Sequence, residues 1–261
     1  MEHSRAYTIG FAVAVCVVCS IFVAGSAVGL KERQIANKVL DRQTKVLDVA
    51  GLLHDGSDVG AEEVAQIFGE RIRPRIIDFA SGEYDDSVDA ETYDASRLVR
   101  DLEASRVPPK NKAKVLRIPL KGLVYHVVEE DGPMSQLILP IEGKGLWSTL
   151  RGFLALDRDL ETVRGITYYD HGETPGLGGE VDNPKWKALW PGRRAFDEAG
   201  NPMIEVIKGR AGPAADDPHR VDGLSGATIT SRGVSHMLDF WLGENGYGPY
   251  LSRVKEQEGA I

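Results

Sequence analysis

The N-terminal part of the chain carries a long, unbroken run of hydrophobic residues. No charged residue occurs from Tyr7 to Leu30, and a helix of that length crosses roughly 30 Å of hydrocarbon. We therefore predict a short tail over residues 1–6 and a single transmembrane helix over residues 7–30. A cleaved signal peptide is the alternative, because Ala24-Gly25-Ser26-Ala27 offers small residues near the end of the run.

Helical periodicity continues beyond the apolar run. Apolar residues at helical spacing from Arg33 to Val49 predict a helix that continues from the membrane. A second apolar face predicts a helix from Ala61 to Ile72, which Pro74 breaks. Residues 80–113 are polar and patternless, which predicts a loop or a peripheral insertion. We assign residues 31–114 to a helical linker and peripheral region.

Short strands are predicted in the second half of the chain. Leu123–Val128 and Gln136–Leu139 flank the turn signal Glu130-Asp131-Gly132-Pro133, which predicts a hairpin. Phe153–Leu156 and Val163–Tyr169 flank a second polar turn, at Asp157 to Glu161.

Helices close the predicted domain. A helical turn is expected from Pro184 to Trp190, and Val234, Met237, Leu238 and Trp241 recur at helical spacing before Gly243. The fold class is therefore α+β: one N-terminal transmembrane helix, then a soluble domain of short strands and hairpins with flanking helices over residues 115–261.

Composition excludes several classes of protein. The 261-residue chain has a formal net charge of -8 and a pI of about 5.3, so charge gives no case for nucleic-acid binding. The two cysteines, Cys16 and Cys19, lie within the apolar run. They either pack there as small apolar residues or form a redox or metal-binding pair. The rest of the chain therefore has neither a disulfide nor a thiolate metal site. We find no zinc-type His-Glu spacing and no nucleophile elbow, and we predict no metal site and no catalytic residue.

Charge around the apolar run bears on orientation. Arg5 precedes it, whereas Lys31, Arg33, Lys38, Arg42 and Lys45 follow it. The positive-inside rule alone places the C-terminal bulk of the chain in the cytoplasm.

A phosphate-binding turn is predicted at Asp222-Gly223-Leu224-Ser225-Gly226-Ala227-Thr228. This segment enters the last predicted helix, whose first N–H groups and positive dipole end favour a phosphate. The alternative is an ordinary capped helix with Ser225 or Thr228 as the N-cap.

A loop that binds a flat ligand is predicted at His171-Gly172-Glu173-Thr174-Pro175-Gly176-Leu177-Gly178-Gly179. Its glycines, Gly176 and Gly178 among them, allow close approach of the backbone. Glu173 and Thr174 can bond the polar rim of a ligand, and Leu177 can lie against its ring. A surface loop is the alternative. Trp147, in Gly143-Lys144-Gly145-Leu146-Trp147-Ser148, either stacks on a ligand or packs in the core.

Together these segments resemble the C-subunit family of the bacterial Na+-translocating NADH:quinone reductases. The resemblance also includes Asp41-Arg42-Gln43, Ile138-Leu139-Pro140-Ile141 and Asn183-Pro184-Lys185-Trp186. It implies that Thr228 carries FMN as a phosphoester installed by a flavin transferase. It further implies that FMN is lined by Trp147, by His171, Glu173, Thr174, Gly176, Leu177 and Gly178, and by Asp222, Ser225, Gly226 and Ala227.

The resemblance also implies a cellular setting. The chain would relay electrons within a complex with five other subunits, which oxidises NADH, reduces ubiquinone and exports Na+. Its soluble domain would face the periplasm from the inner membrane, against the charge count above. Two alternatives are the G-subunit of the Rnf electron-transport complex, which shares the Ser-Gly-Ala-Thr segment, and a non-redox, membrane-tethered binding or assembly module.

Overall fold

The computed structural model describes residues 4–53, 59–129 and 132–258. The helices are α1 (Arg5–Val49), α2 (Ala61–Arg71), α3 (Ala95–Leu98), α4 (Pro184–Lys187), α5 (Thr228–Leu242) and α6 (Gly248–Glu258). The strands are β1 (Ile72–Asp78), β2 (Ser105–Arg106), β3 (Ile118–Pro119), β4 (Lys121–Val128), β5 (Met134–Lys144), β6 (Thr149–Asp157), β7 (Val163–Asp170), β8 (Glu205–Val206) and β9 (Arg220–Val221). The predicted α+β class is confirmed.

The first compact unit of the chain ends at Arg42 and contains most of α1. This helix is long and apolar enough to cross a membrane, with a mean hydropathy of 2.5 over its best window and none of that window buried. It fits a single-pass anchor, although a signal sequence near the N-terminus meets the same test. The expected continuation to Val49 is confirmed.

The second compact unit begins at Gln43 and is built on an antiparallel sheet of order β1-β4-β5-β6-β7. Both predicted hairpins are confirmed, β4 with β5 and β6 with β7, and their strands are longer than expected. In the first predicted turn, Glu130 and Asp131 lie outside the described residues. Two-residue pairs, β2 with β3 and β8 with β9, complete the strands of the described chain.

Strand β1 corrects one expectation. Helix α2 ends at Arg71, and the chain passes directly into β1, which contains the proline that we expected to break a helix. Pro74 lies opposite Tyr125 of β4, on an edge strand of the sheet. An edge strand tolerates proline because one of its sides needs no backbone donor.

Helix α5 lies against β5 with its backbone close to the sheet. A Cβ atom on Gly143 would stand 2.7 Å from Cβ of Met237, and the indole Nε1 of Trp241 donates to the carbonyl of Glu142 at 2.6 Å. Val234 and Leu238 are fully buried on the same helix. The predicted apolar face is therefore confirmed, and α5 is fixed along its length.

A small polar cluster ties α6 to the edge of the sheet. Nε2 of His126 lies 2.7 Å from the Tyr250 hydroxyl, which in turn lies 3.1 Å from the Tyr84 hydroxyl. Burial lowers the pKa of His126 to about 4, and the charge of Arg75 acts in the same direction.

This cluster predicts a loss of stability in mild acid. Between pH 6.5 and 4 the unfolded histidine binds a proton that the folded one does not, so the free energy of unfolding falls as the pH falls. From pH 7 to pH 5 the loss assigned to His126 is about 2 kcal/mol. Urea unfolding of the full chain in detergent at both pH values measures it. The His126→Gln variant should lose that much less, and equal losses in both proteins contradict the prediction.

Candidate functional site

The carboxylate of Glu173 joins three separate segments of the chain. Its Oε1 accepts the backbone N–H groups of Trp147 at 2.9 Å and Ser148 at 3.0 Å, and the Ser148 hydroxyl at 3.3 Å. Its Oε2 accepts the hydroxyl of Thr230 at 2.6 Å and the N–H of Leu146 at 3.2 Å. Three segments therefore meet at this side chain: the β5–β6 turn, the glycine-rich loop over residues 171–179 that carries Glu173, and the first turn of α5.

Glu173 is held as a carboxylate although only 5% of it is exposed. Burial acts to raise its pKa, but the hydrogen bonds from Thr230, Ser148, Trp147 and Leu146 together lower the pKa below its usual value. A charge in this position is stabilised because its donors are fixed before any ligand arrives.

Two glycines leave room for this carboxylate. A Cβ atom on Gly145 would lie 2.6 Å from Oε1 of Glu173. A Cβ atom on Gly178 would lie 2.7 Å from Oε2 and 2.6 Å from Oγ1 of Thr230. Side chains at these positions would push Glu173 away from its donors. The absence of side chains at these two glycines therefore allows the hydrogen bonds of Glu173 to form, in addition to any close approach of a ligand.

His171 holds the beginning of the loop. Its Nε2 lies 2.7 Å from Oδ2 of Asp182, and its Nδ1 accepts the N–H of Glu173 at 3.3 Å. Gly172 donates its N–H to the Ser148 hydroxyl at 2.7 Å. Both ring nitrogens therefore have partners within the protein, which gives His171 a structural place at this site.

Thr228 is the first residue of α5 and is exposed. The N-cap is Ala227, which makes no side-chain hydrogen bond, so the alternative of an ordinary helix capped by Ser225 or Thr228 is wrong. The capping alternative fails because both hydroxyl-bearing side chains lie exposed at the surface instead of bonding the helix end. The first N–H groups of the helix are left with no side-chain cap, as an anion-binding helix start requires.

The neighbouring hydroxyls differ sharply from that of Thr228. Thr230 is fully buried and donates to Glu173. Ser231 is buried, donates to the carbonyl of Ala227 at 3.1 Å and accepts the N–H of Leu224 at 3.1 Å. Within this segment, Thr228 and Ser225 carry the accessible hydroxyl groups.

The two glycine-rich segments meet at Leu177 and Gly226. Gly226 has a φ of 71°, and a Cβ atom there would lie 2.8 Å from Cδ2 of Leu177. Leu177 is nonetheless 44% exposed, Ile229 is 55% exposed and Trp147 is 68% exposed. Trp147 is therefore not a core residue, and its indole is free to contact a ligand. The other three tryptophans, Trp186, Trp190 and Trp241, are buried.

Asp222 is fixed by main-chain and side-chain contacts. Its carbonyl accepts the indole N–H of Trp186 at 2.8 Å, and its Oδ1 accepts the N–H of Ala211 at 2.8 Å. Trp186 belongs to α4, which Asn183 caps through the N–H of Lys185. The predicted turn is therefore anchored at its first residue and open at Ser225, Gly226 and Thr228.

A cleft of about 1030 Å³ borders the turn on the side of β8. Asp222, Ser225, Gly226 and Thr228 line it, whereas Trp147, His171, Thr174, Gly176 and Leu177 do not. The predicted residues thus form two groups that meet beside Thr228. Sequence reasoning missed several other side chains that line the cleft, namely Lys112, Lys208, Arg210, Arg232 and His236.

The sequence model of the FMN-binding domain family matches residues 145–243, which include both glycine-rich segments. The C-subunit of the Na(+)-translocating NADH-quinone reductase from Yersinia pestis is 51% identical over 94% of this chain and 91% of that protein. The protein of the same name from Pseudomonas aeruginosa is 45% identical over 98% of both chains.

Solved structures are similar as well. The crystal structure of Shewanella oneidensis NqrC superposes with a TM-score of 0.76 and 34% identity, covering 82% of this chain and 96% of that one. The C-subunit of the Na(+)-translocating NADH-quinone reductase from Parabacteroides distasonis gives a TM-score of 0.66 and 27% identity, covering 85% and 97%.

The arrangement around Glu173 predicts a strong effect of a conservative change. Glu173→Gln removes the charge and replaces one acceptor oxygen by a donor, so at least one buried N–H or hydroxyl loses its partner. We expect the free energy of unfolding to fall by about 2 kcal/mol or more. We also expect faster hydrogen exchange at the amides of Trp147 and Ser148.

The matched control is Glu142→Gln, which removes a half-exposed ion pair with Arg151. Exposed pairs contribute about 1 kcal/mol or less, and this change should leave both amides protected. If the two substitutions changed the free energy of unfolding and the hydrogen exchange equally, Glu173 would stabilise the protein no more than an exposed ion pair does.

Proposed function

Because the chain belongs to the C-subunit family of the Na(+)-translocating NADH-quinone reductases, we propose that it relays electrons in such a complex through FMN bound as a phosphoester to Thr228. The observation that carries this proposal is the exposed Thr228 hydroxyl at an uncapped helix start, within an FMN-binding domain. The chain alone is not expected to oxidise NADH or reduce ubiquinone.

Thr228 is the preferred attachment residue because of what surrounds each hydroxyl. Thr230 and Ser231 are buried and already donate to protein acceptors, so an enzyme that forms a phosphoester cannot reach them without unfolding α5. Ser225 is exposed but precedes the helix. Thr228 combines exposure with the positive end of the helix dipole, which favours an attached phosphate.

The residues present fit a flavin. Leu177, Ile229 and Trp147 offer exposed apolar surfaces suited to the faces of a flat ring. Ile229 follows Thr228 in the chain, Leu177 contacts the turn at Gly226, and Trp147 is connected to α5 through Glu173. Glu173 keeps the turn of Trp147 and the first turn of α5 in fixed positions. When bound, FMN supplies the electron chemistry, and the protein orients it and tunes its potential.

The proposal also includes the cellular location of the chain and its partners. Helix α1 is taken as a retained anchor in a bacterial inner membrane, and the FMN-binding domain is placed in the periplasm. The charge count opposes that orientation, but Glu32 lies among the downstream basic residues, and partner subunits can orient a single span. Five companion subunits and a flavin transferase are the proposed partners, and electron flow from NADH toward ubiquinone would drive Na+ export.

Removing the Thr228 hydroxyl tests the attachment. The full chain produced with a flavin transferase should give in-gel flavin fluorescence and a peptide heavier by FMN less water. Thr228→Ala should abolish both signals, because no accessible hydroxyl remains inside the helix start. Ser225→Ala is the matched control and should retain them. Covalent flavin on the Thr228→Ala protein, or its loss from Ser225→Ala, would move the attachment site.

A redox titration and co-purification test the relay role. The purified flavoprotein should take up and release electrons reversibly, and the native chain should co-purify with five companions from membranes. A flavin that resists reduction would favour a non-redox tethering module. Companions of a ferredoxin-linked complex would favour the Rnf-type alternative.

A further inference from the structure

The cleft beside Thr228 is lined by four cationic side chains that have no partner among the described residues. Lys112, Lys208, Arg210 and Arg232 line it, and none of the four makes an ion pair or a side-chain hydrogen bond with the part of the chain that the structure describes. By contrast, Arg220 and Arg194, nearby in the chain, are each paired with a carboxylate. Clustered cations without partners repel one another and favour an anionic ligand.

Two of these cations lie on α5 or on backbone that is bonded to the segment leading into it. Arg232 follows Thr228 by four residues on α5, so the two side chains lie on one face with their Cβ atoms about 6 Å apart. Lys208 lies between two backbone contacts to the predicted turn: Ile207 donates to the carbonyl of Val221 at 2.9 Å, and Gly223 donates to that of Gly209 at 2.8 Å. Arg232 therefore lies one helical turn from the attachment residue, and Lys208 lies on backbone that is bonded to the segment before it.

Three carboxylates, those of Glu205, Asp222 and Asp239, line the cleft together with its four cationic side chains. Asp222 directs Oδ1 to the N–H of Ala211. Asp239 follows Thr228 by eleven residues, which is about 16 Å along a helix. Glu205 lies on β8 opposite Arg220 of β9, and its charge acts on that arginine. The lining of the cleft therefore has one more cationic side chain than it has carboxylates, and its net charge is positive.

The pKa of a histidine in the cleft is lowered by the same positive charges. His236 lies one turn beyond Arg232 and lines the cleft. Burial is the largest cause that lowers its pKa, and the charges of Lys112 and Arg232 lower it further, against the opposing effect of Asp239. Positive charge thus converges on this wall of the cleft from α5 and from the segment before β3.

We propose that Lys208 and Arg232 form the phosphate-binding site of the flavin, holding the phosphodiester on Thr228 at the mouth of the cleft. The inference rests on the proposed attachment to Thr228 and adds the residues that neutralise it. Arginine and lysine bind phosphate oxygens through charge-assisted hydrogen bonds. A tethered phosphate fixed in this way would restrict the rotation of the flavin about its link.

The test uses the full chain in detergent, produced with a flavin transferase, and the double variant Lys208→Gln/Arg232→Gln. The mass of the Thr228 peptide is determined first. The phosphorus-31 resonance of the phosphodiester and the fluorescence anisotropy of the flavin are then measured at low and high NaCl. We expect the parent resonance to move with salt, and the double variant to show a shifted, salt-insensitive resonance and a lower anisotropy.

Two controls keep the test specific. Arg100→Gln/Arg158→Gln removes the same charge from exposed positions outside the cleft and should reproduce the parent. Lys208→Arg/Arg232→Lys keeps the charge and should restore salt sensitivity. An unchanged resonance and anisotropy in the Gln double variant overturn the inference while the attachment stands. Absence of flavin from the parent Thr228 peptide overturns both.

Discussion

A carboxylate removed from water needs partners, and this requirement of Glu173 organises the site. Three backbone N–H groups and two hydroxyls converge on it from the β5–β6 turn and from α5. The loop that carries Glu173 must therefore lie between those elements, and Gly145 and Gly178 must lack side chains there. Breaking one such hydrogen bond leaves the buried carboxylate without one of its donors. The resulting loss of stability is larger than the stability that an exposed ion pair contributes.

The division of α5 into two faces follows from this anchorage. Thr230 and Met237 face Glu173 and β5, so that side of the helix is fixed to the sheet. The other side, with Thr228 and Arg232, is left to border the cleft. A helix held so firmly on one face presents its first residue in a defined direction, and a group attached there inherits that direction.

The sequence predicted the elements that depend on local signals. Turns flanked by alternating residues located the two hairpins, and helical spacing located α5 and its end at Gly243. It did not predict β1, because Pro74 reads as a breaker until the chain shows it on a sheet edge beside Tyr125. The partners of Glu173 lie 25 to 57 residues away in the chain, and no local pattern encodes them. The cations of the cleft were missed for the same reason: Lys112, Lys208 and Arg232 come from three separate segments.

The openness of the site gives a physical reason for the covalent link that we propose. Trp147, Leu177 and Ile229 remain substantially exposed, so little apolar surface is available to retain a free flavin by burial. Enclosing the ring would increase affinity but would also separate it from electron donors and acceptors. The proposed tether at Thr228 would replace affinity by a high effective concentration, because an attached ligand cannot diffuse away. On the proposed function, attachment therefore allows the cofactor to be permanent and accessible at once, and the fixed face of α5 keeps it in place.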